Sequence, residues 1–205
     1  MATDISEAQL KCAMQRANIN YLHTPLSLSN DELVHSIGAE GSVDLITVTE
    51  AIHWLDDLPR FYSVATCLLR KPGGIIAVWG FRYNGMKISP EYDEAGKSWF
   101  QTTLPYWNSK TKAVFGGYQS LPFPFEGMGM GSEGKPLALD IAKEVSFEGN
   151  LRLLQSLSAV AAAKEEGVDL LAENAVEELE AAWGGADVVR SAVCKGFMLV
   201  GKVKV

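Results

Sequence analysis

The sequence predicts an α/β fold built on a parallel sheet. Two observations carry that expectation. Val43-Asp44-Leu45-Ile46-Thr47-Val48 is an apolar, β-branched run that ends in a polar and aromatic turn, Thr49-Glu50-Ala51-Ile52-His53-Trp54. An amphipathic helix follows, then Lys71-Pro72-Gly73-Gly74 and a second apolar strand, Ile75 to Trp79. Strand, turn, helix and strand make one βαβ unit, the building block of parallel sheets. Ligands of such sheets sit beyond the C-terminal ends of the strands. Thr49, Glu50, His53 and Trp54 are therefore the first candidates for chemistry.

The elements can be justified in chain order. Met1 to Asp4 read as the tail end of a strand. Ser6-Glu7-Ala8-Gln9 is a capping-box pattern with Ser6 as N-cap and Gln9 reaching back. Leu10, Ala13, Met14 and Ala17 then recur at helical spacing. Ile19 to Leu22 is a short strand candidate, and Asn30 to Ile37 a short helix with Gly38 as C-cap. The helix of the βαβ unit, Leu58 to Arg70, sets Leu58, Phe61, Tyr62, Ala65, Leu68 and Leu69 on one face. Pro72 stops it, and Gly73-Gly74 turn the chain into the next strand.

From residue 82 to 136 periodicity weakens, and the segment reads as an irregular aromatic-rich insertion in a single domain spanning 1–205. It holds Tyr83, Tyr92, Trp99, Phe100, Tyr106, Trp107, Phe115, Tyr118, Phe123 and Phe125. These are either anchors of surface loops or lining for a substrate pocket, since pockets are walled mainly by apolar and aromatic groups. Order returns with a strand from Leu139 to Phe147. A helix from Glu148 to Ala163 buries Leu151, Leu154, Leu157 and Val160. Another, Leu171 to Trp183, buries Leu171, Ala175, Leu179, Ala182 and Trp183, and Gly184-Gly185 ends it. Phe197 to Val205 alternates as a last strand.

Composition narrows the function. The chain has 205 residues, 47% hydrophobic and 21% charged, an ordinary globular balance. A net charge of −7 speaks against nucleic acid, which needs clustered Lys and Arg. No stretch approaches the roughly 20 apolar residues of a membrane span. The N-terminus has neither a basic start nor an apolar run, so no signal peptide is expected. Cys12, Cys67 and Cys194 are far apart and fit reduced thiols of a cytoplasmic protein. No ligand spacing suggests a metal. Gly127-Met128-Gly129-Met130-Gly131 mimics a nucleotide loop, but no strand leads into it and no helix leaves it, so it reads as a flexible loop.

Asp4 ends a strand remnant before a capped helix. An acidic residue so placed binds ribose hydroxyls in doubly wound folds, and equally it favours a helix N-terminus. His53 either orients or deprotonates an acceptor, or is a structural residue bonded to backbone, with Trp54 in the core.

The stretch "SVDLITVTEAIHWLDDLPRFYSVATCLLRKPGGIIAVWG", Ser42 to Gly80, resembles the later half of the class I S-adenosylmethionine-dependent methyltransferases. The nearest set is the trans-aconitate-methyltransferase-like or embryo-abundant-protein-like group. The matching positions are Asp44, Ala51, His53, Trp54, Asp56, Phe61-Tyr62, and Leu69 with Lys71 to Gly74. "ATDISEAQL" is similar to the family's second-strand motif, and "YQSLPFPFEG", "SLSAVAAAKEEGVDLL" and "FMLVGKV" to its C-terminal half.

The resemblance implies a doubly wound, mostly parallel Rossmann-like methyltransferase sheet with an antiparallel last strand. It begins at the second strand, so the first strand and Gly-rich loop have no counterpart and the match is to an N-terminally truncated member. S-adenosylmethionine is the implied cofactor, its affinity weakened. Asp4 would hold the ribose, with Ile5 beside it. Leu26 would meet the adenine, where no carboxylate stands. Thr49 and Glu50 would lie near the methionine moiety. His53, Trp54, Tyr106 and Trp107 would shape the pocket of a small-molecule oxygen acceptor, a carboxylate being one candidate. The alternative is an inactive remnant acting as an interaction module, with a protein partner at the sheet gap, or an unstable fragment.

Overall fold

The computed structural model describes residues 1–129 and 134–204, with backbone alone at 83–85. β1 (Ala2–Asp4) and β2 (Tyr21–His23) form a two-stranded parallel sheet, linked by α1 (Glu7–Cys12). After α2 (Asn30–Ile37) comes β3 (Leu45–Thr49), a 3-10 turn at Ile52–Trp54, α3 (Leu58–Leu68) and β4 (Ile75–Lys87). β3 and β4 pair in parallel, Leu45 opposite Ile75 and Thr49 opposite Trp79, as the βαβ reading requires.

The rest of the chain is α4 (Pro90–Thr103), α5 (Lys112–Phe115), β5 (Glu126–Gly127), β6 (Leu137–Ser146), α6 (Phe147–Gln155), α7 (Ser158–Glu165), α8 (Glu173–Trp183) and β7 (Val189–Lys202). β7 lies antiparallel to β4 along one edge and to β6 and β5 along the other. The α/β class and the antiparallel last strand are as expected. The larger sheet is mixed rather than mostly parallel: among the described residues β3–β4 is its one parallel strand pairing and the three pairings of β7 are antiparallel, while β1–β2 forms a separate parallel sheet.

Several local expectations are corrected. The Ser6 side chain caps Gln9 N–H, but Gln9 does not reach back; the Ser6 N–H is taken by Asp4 Oδ1 at 2.7 Å. α1 stops at Cys12 instead of running to Ala17, because nothing covers its far end: Met14 is 71% exposed. A reciprocal capping box occurs instead at Ser29 and Glu32 of α2. The segment 82–136 is largely regular, holding the end of β4, α4, α5 and β5. The helix expected over 148–163 is two, since the backbone turns extended at Leu157, which is buried in the core. β7 begins at Val189, well before Phe197. Gly127 pairs within β5, whereas Met130 and Gly131 of the glycine run lie outside the described residues.

Two apolar cores result. One packs Ile52, Tyr62, Ala65 and Leu69 against Ile76, Val78, Phe197 and Leu199. The other gathers Tyr92, Trp99, Phe100, Leu154, Leu179 and Trp183. Residues 1–51 hold no fully buried side chain; Val43, Ile46 and Val48, around and within β3, pack half-buried against the first core. This N-terminal part is joined to α3 by Arg60, whose guanidinium donates to Asn30 Oδ1 at 2.8 Å, to Leu26 C=O at 3.3 Å and to Leu28 C=O.

Candidate functional site

The turn after β3 is built around a buried histidine. The 3-10 turn places Ile52 and His53 inward, at 0% and 7% exposure, and turns Trp54 outward at 37%. Lys110 anchors the turn from outside, donating to Trp54 C=O at 3.1 Å and pairing with Asp56 at 2.6 Å. His53 is bonded neither to backbone nor to a carboxylate. Its Nδ1 meets the Tyr118 hydroxyl at 2.9 Å, and its Nε2 is buried without a partner among the described residues.

Glu50 is the next member. It closes β3 with φ of 51°, and its carboxylate crosses to β4 to accept the Phe81 N–H at 2.6 Å. Gly80 makes room for that crossing: a Cβ there would stand 2.2 Å from Glu50 Oε1. Tyr118 is 1% exposed and has φ of 57°. Burial, aided by the Glu50 charge, pushes its phenol far above the ordinary value of 10. Glu50 and Tyr118 are the two non-glycine residues with positive φ among the described residues. Such a conformation costs on the order of 1–3 kcal/mol and persists where surrounding structure imposes it, often at functional sites.

Burial also pushes His53 down, to about 4. The imidazole is ordinarily near 6.5. Between those values the unfolded chain binds a proton that the folded one excludes, so stability falls as pH is lowered through this window and levels off below it. The full difference is worth about 3 kcal/mol. Urea midpoints at pH 7 and pH 4.5 are expected to differ more for the parent chain than for His53→Gln. Equal pH responses would assign the effect to other groups.

Asp4 sits half-buried at the end of β1. Its Oδ1 is fixed by Ser6 N–H, and its backbone C=O accepts the N–H of Thr24 at 2.9 Å. A cavity of about 320 Å³ opens beside it, lined by Ala2, Thr3, Asp4, Gln9, Leu10 and Tyr21 among others. Ile5 is 46% exposed and its C=O meets His23 Nε2 at 3.1 Å. Leu26 is 66% exposed, with its carbonyl held by Arg60.

The structure therefore brings Glu50 and His53 together through Tyr118 and keeps Trp54 beside the imidazole, ring centroids 5.0 Å apart. It separates Trp107 from them. Trp107, half-buried, packs on Phe100 and Phe115 at the margin of the second core and donates to Thr103 Oγ1 at 2.8 Å. Tyr106 lies half-buried in the neighbouring 3-10 turn. Trp54 is not the core residue its type suggested. Sequence reasoning missed Tyr118 and Arg60 as site residues. Gly116-Gly117 before Tyr118 marked a sharp turn there, but nothing in the sequence paired it with His53.

Among the described residues no group of His, Cys, Asp and Glu is arranged to hold a metal, and no helix is long and apolar enough to cross a membrane.

Comparisons with known proteins bear on the family and the fold. A family profile described as a methyltransferase domain matches residues 1–78. A curated protein of Dictyostelium discoideum, whose name assigns it to the methyltransferases, is 30% identical over 146 residues, 69% of this chain and 51% of that protein. The chain thus spans about half the length of that relative. A solved structure from Anaeromyxobacter dehalogenans, titled as a type II methyltransferase, is 27% identical. It superposes with a TM-score of 0.75 over 98% of this chain and 79% of its own.

Proposed function

We propose that the chain is an S-adenosylmethionine-dependent methyltransferase, a reading supported by the methyltransferase-domain profile over residues 1–78 and by its methyltransferase relatives, and that it transfers a methyl group to an oxygen of a small carboxylate. When bound, S-adenosylmethionine supplies an electrophilic sulfonium methyl, whose transfer to a carboxylate oxygen gives a methyl ester and a thioether and releases no proton.

The residues present suit that cofactor at its ribose end. Asp4 is held at a strand terminus by Ser6 N–H through Oδ1, which leaves Oδ2 to accept from a hydroxyl. Arg60 fixes the loop at Leu26 and Leu28, where the adenine would pass. Thr49, exposed at the end of β3, is left for the methionine end, whereas Glu50 is engaged on β4.

The observation that favours a carboxylate acceptor is the state of His53. Buried and held near 4, it is neutral at neutral pH and a poor base. A carboxylate is already deprotonated and needs none, so the work left to the site is positioning and exclusion of water. Calorimetric titration with S-adenosylhomocysteine tests the reading. Binding by the parent chain is expected, with at least tenfold weaker binding by Asp4→Ala, the worth of one hydrogen bond to a charged group. A folded chain that binds no S-adenosylhomocysteine would sink it.

A second reading, an interaction module, is favoured by an open edge. Asp44 C=O and Glu50 N–H both bond to β4. Alternate residues face alternate sides of a parallel strand, so the peptide groups of Leu45, Thr47 and Thr49 point off the other edge, and all three residues are exposed. Such an edge accepts an added strand. On this reading the isolated chain self-associates or captures an extended peptide, and the amides of Leu45, Thr47 and Thr49 become protected from hydrogen exchange on association. Fast exchange at all three in every state of assembly would count against it.

A further inference from the structure

His53 Nε2 is the one orphaned group in the turn that ends β3, the place where ligands of parallel sheets are met. A buried polar group without a partner costs about 1–3 kcal/mol, and in a native chain it calls for an explanation. The neighbouring backbone has positive φ at Glu50, three residues before His53, and at Tyr118, which bonds the ring.

Counting hydrogen bonds assigns the tautomer. Were Nδ1 to carry the proton and donate to Tyr118, the phenolic O–H would be left without an acceptor and Nε2 without a donor. With Tyr118 donating to Nδ1, a single group is unmade, the Nε2–H. The Glu50 charge near Tyr118 keeps the phenol protonated and able to donate. The Glu50 carboxylate itself is held by Phe81 N–H.

We infer that the His53 Nε2–H, aimed by Tyr118, is the donor that seats a carboxylate oxygen of the acceptor. Trp54 lies against the imidazole, ring centroids 5.0 Å apart, with more than a third of its own surface in solvent. Tyr118 is a positioning residue: it touches no substrate but decides which imidazole nitrogen carries the proton. The role as acceptor anchor rests on the methyltransferase reading, whereas the hydrogen bond can be tested without it.

The test is nitrogen-15 NMR of the full chain labelled at histidine. The sequence has three histidines, and His53→Asn assigns the resonance. The proton is expected on Nε2 in the parent chain and distributed over both nitrogens in Tyr118→Phe, which keeps the ring that packs on Phe197. Succinate and citrate are the probes, each added with and without S-adenosylhomocysteine. Either is expected to shift the Nε2–H resonance and to bind about tenfold more weakly to Tyr118→Phe. A proton on Nδ1 in the parent chain, or an Nε2 signal that neither carboxylate moves, would overturn the inference. Absent S-adenosylhomocysteine binding together with a carboxylate-induced shift would instead overturn the methyltransferase reading and leave the hydrogen bond standing.

Discussion

Trp183→Ala is expected to lower the stability of the chain by about 3–5 kcal/mol, the range for deleting a fully buried aromatic side chain. Trp183 is 0% exposed and ends α8. Its ring meets Tyr92 edge-on at 4.9 Å and lies 5.8 Å from Phe147, so it joins α4, α6 and α8 in the second core. Its Nε1 donates to Val188 C=O at 2.7 Å. Its own carbonyl accepts two hydrogen bonds from Arg190, at 2.9 and 2.7 Å, which tie the helix end to the start of β7. Trp183→Phe keeps most of the apolar contact but orphans the Val188 carbonyl, and should cost less, about 1–3 kcal/mol. Urea unfolding at neutral pH measures both. A loss under about 1 kcal/mol for the alanine variant would mean that the second core collapses to fill the space or contributes little.

The second large effect is expected at Gly74. A Cβ there would lie 2.7 Å from both N and O of Arg70 and 2.8 Å from Leu69 Cβ, so backbone rather than a flexible side chain would have to move. That backbone is the exit of α3: Gly74 N–H donates to Arg70 C=O at 2.8 Å, and Leu69 is fully buried beside it. Gly74→Ala should therefore cost about 1–3 kcal/mol or more through overpacking. Its neighbour Gly73 needs glycine for a different reason. Nothing lies within 4 Å of a Cβ at Gly73, but its φ is +103°. Gly73→Ala should cost about 1–2 kcal/mol, from backbone strain alone. The pair separates crowding from conformation. A loss at Gly74 no larger than the strain at Gly73 would show that a small backbone shift relieves the Arg70 contact.

Much of this molecule was legible in its residues. The βαβ unit follows from an apolar β-branched run, a helical stripe and a Lys-Pro-Gly-Gly turn, each a local signal with a definite period. The structure pairs those strands in parallel with α3 between them. The antiparallel β7 and the placement of Asp4 at a strand end were also expected. Expectations failed where the local signal was weak and the environment decided. In segment 82–136 the buried stripe of α4, Tyr92, Trp99, Phe100 and Thr103, is sparse, and the residues it packs on come from α6 and α8, far along the chain. α1 is short because residues 1–51 hold no fully buried side chain to which a longer helix could anchor.

What the sequence determined by itself is the family-bearing frame: the parallel unit, its glycine turn, and the turn after β3 with Glu50, His53 and Trp54 in it. Those depend on neighbours a few residues apart, whose chemistry periodicity and turn propensity report directly. What only the tertiary structure decided is the state of His53. Its partner, Tyr118, lies 65 residues away in the chain, and its low proton affinity comes from burial by groups that share no local pattern with it. Solvent exclusion is a property of the packed whole, so the chemistry of that imidazole could be read only once β3, β4, β7 and the Tyr118 turn were folded around it.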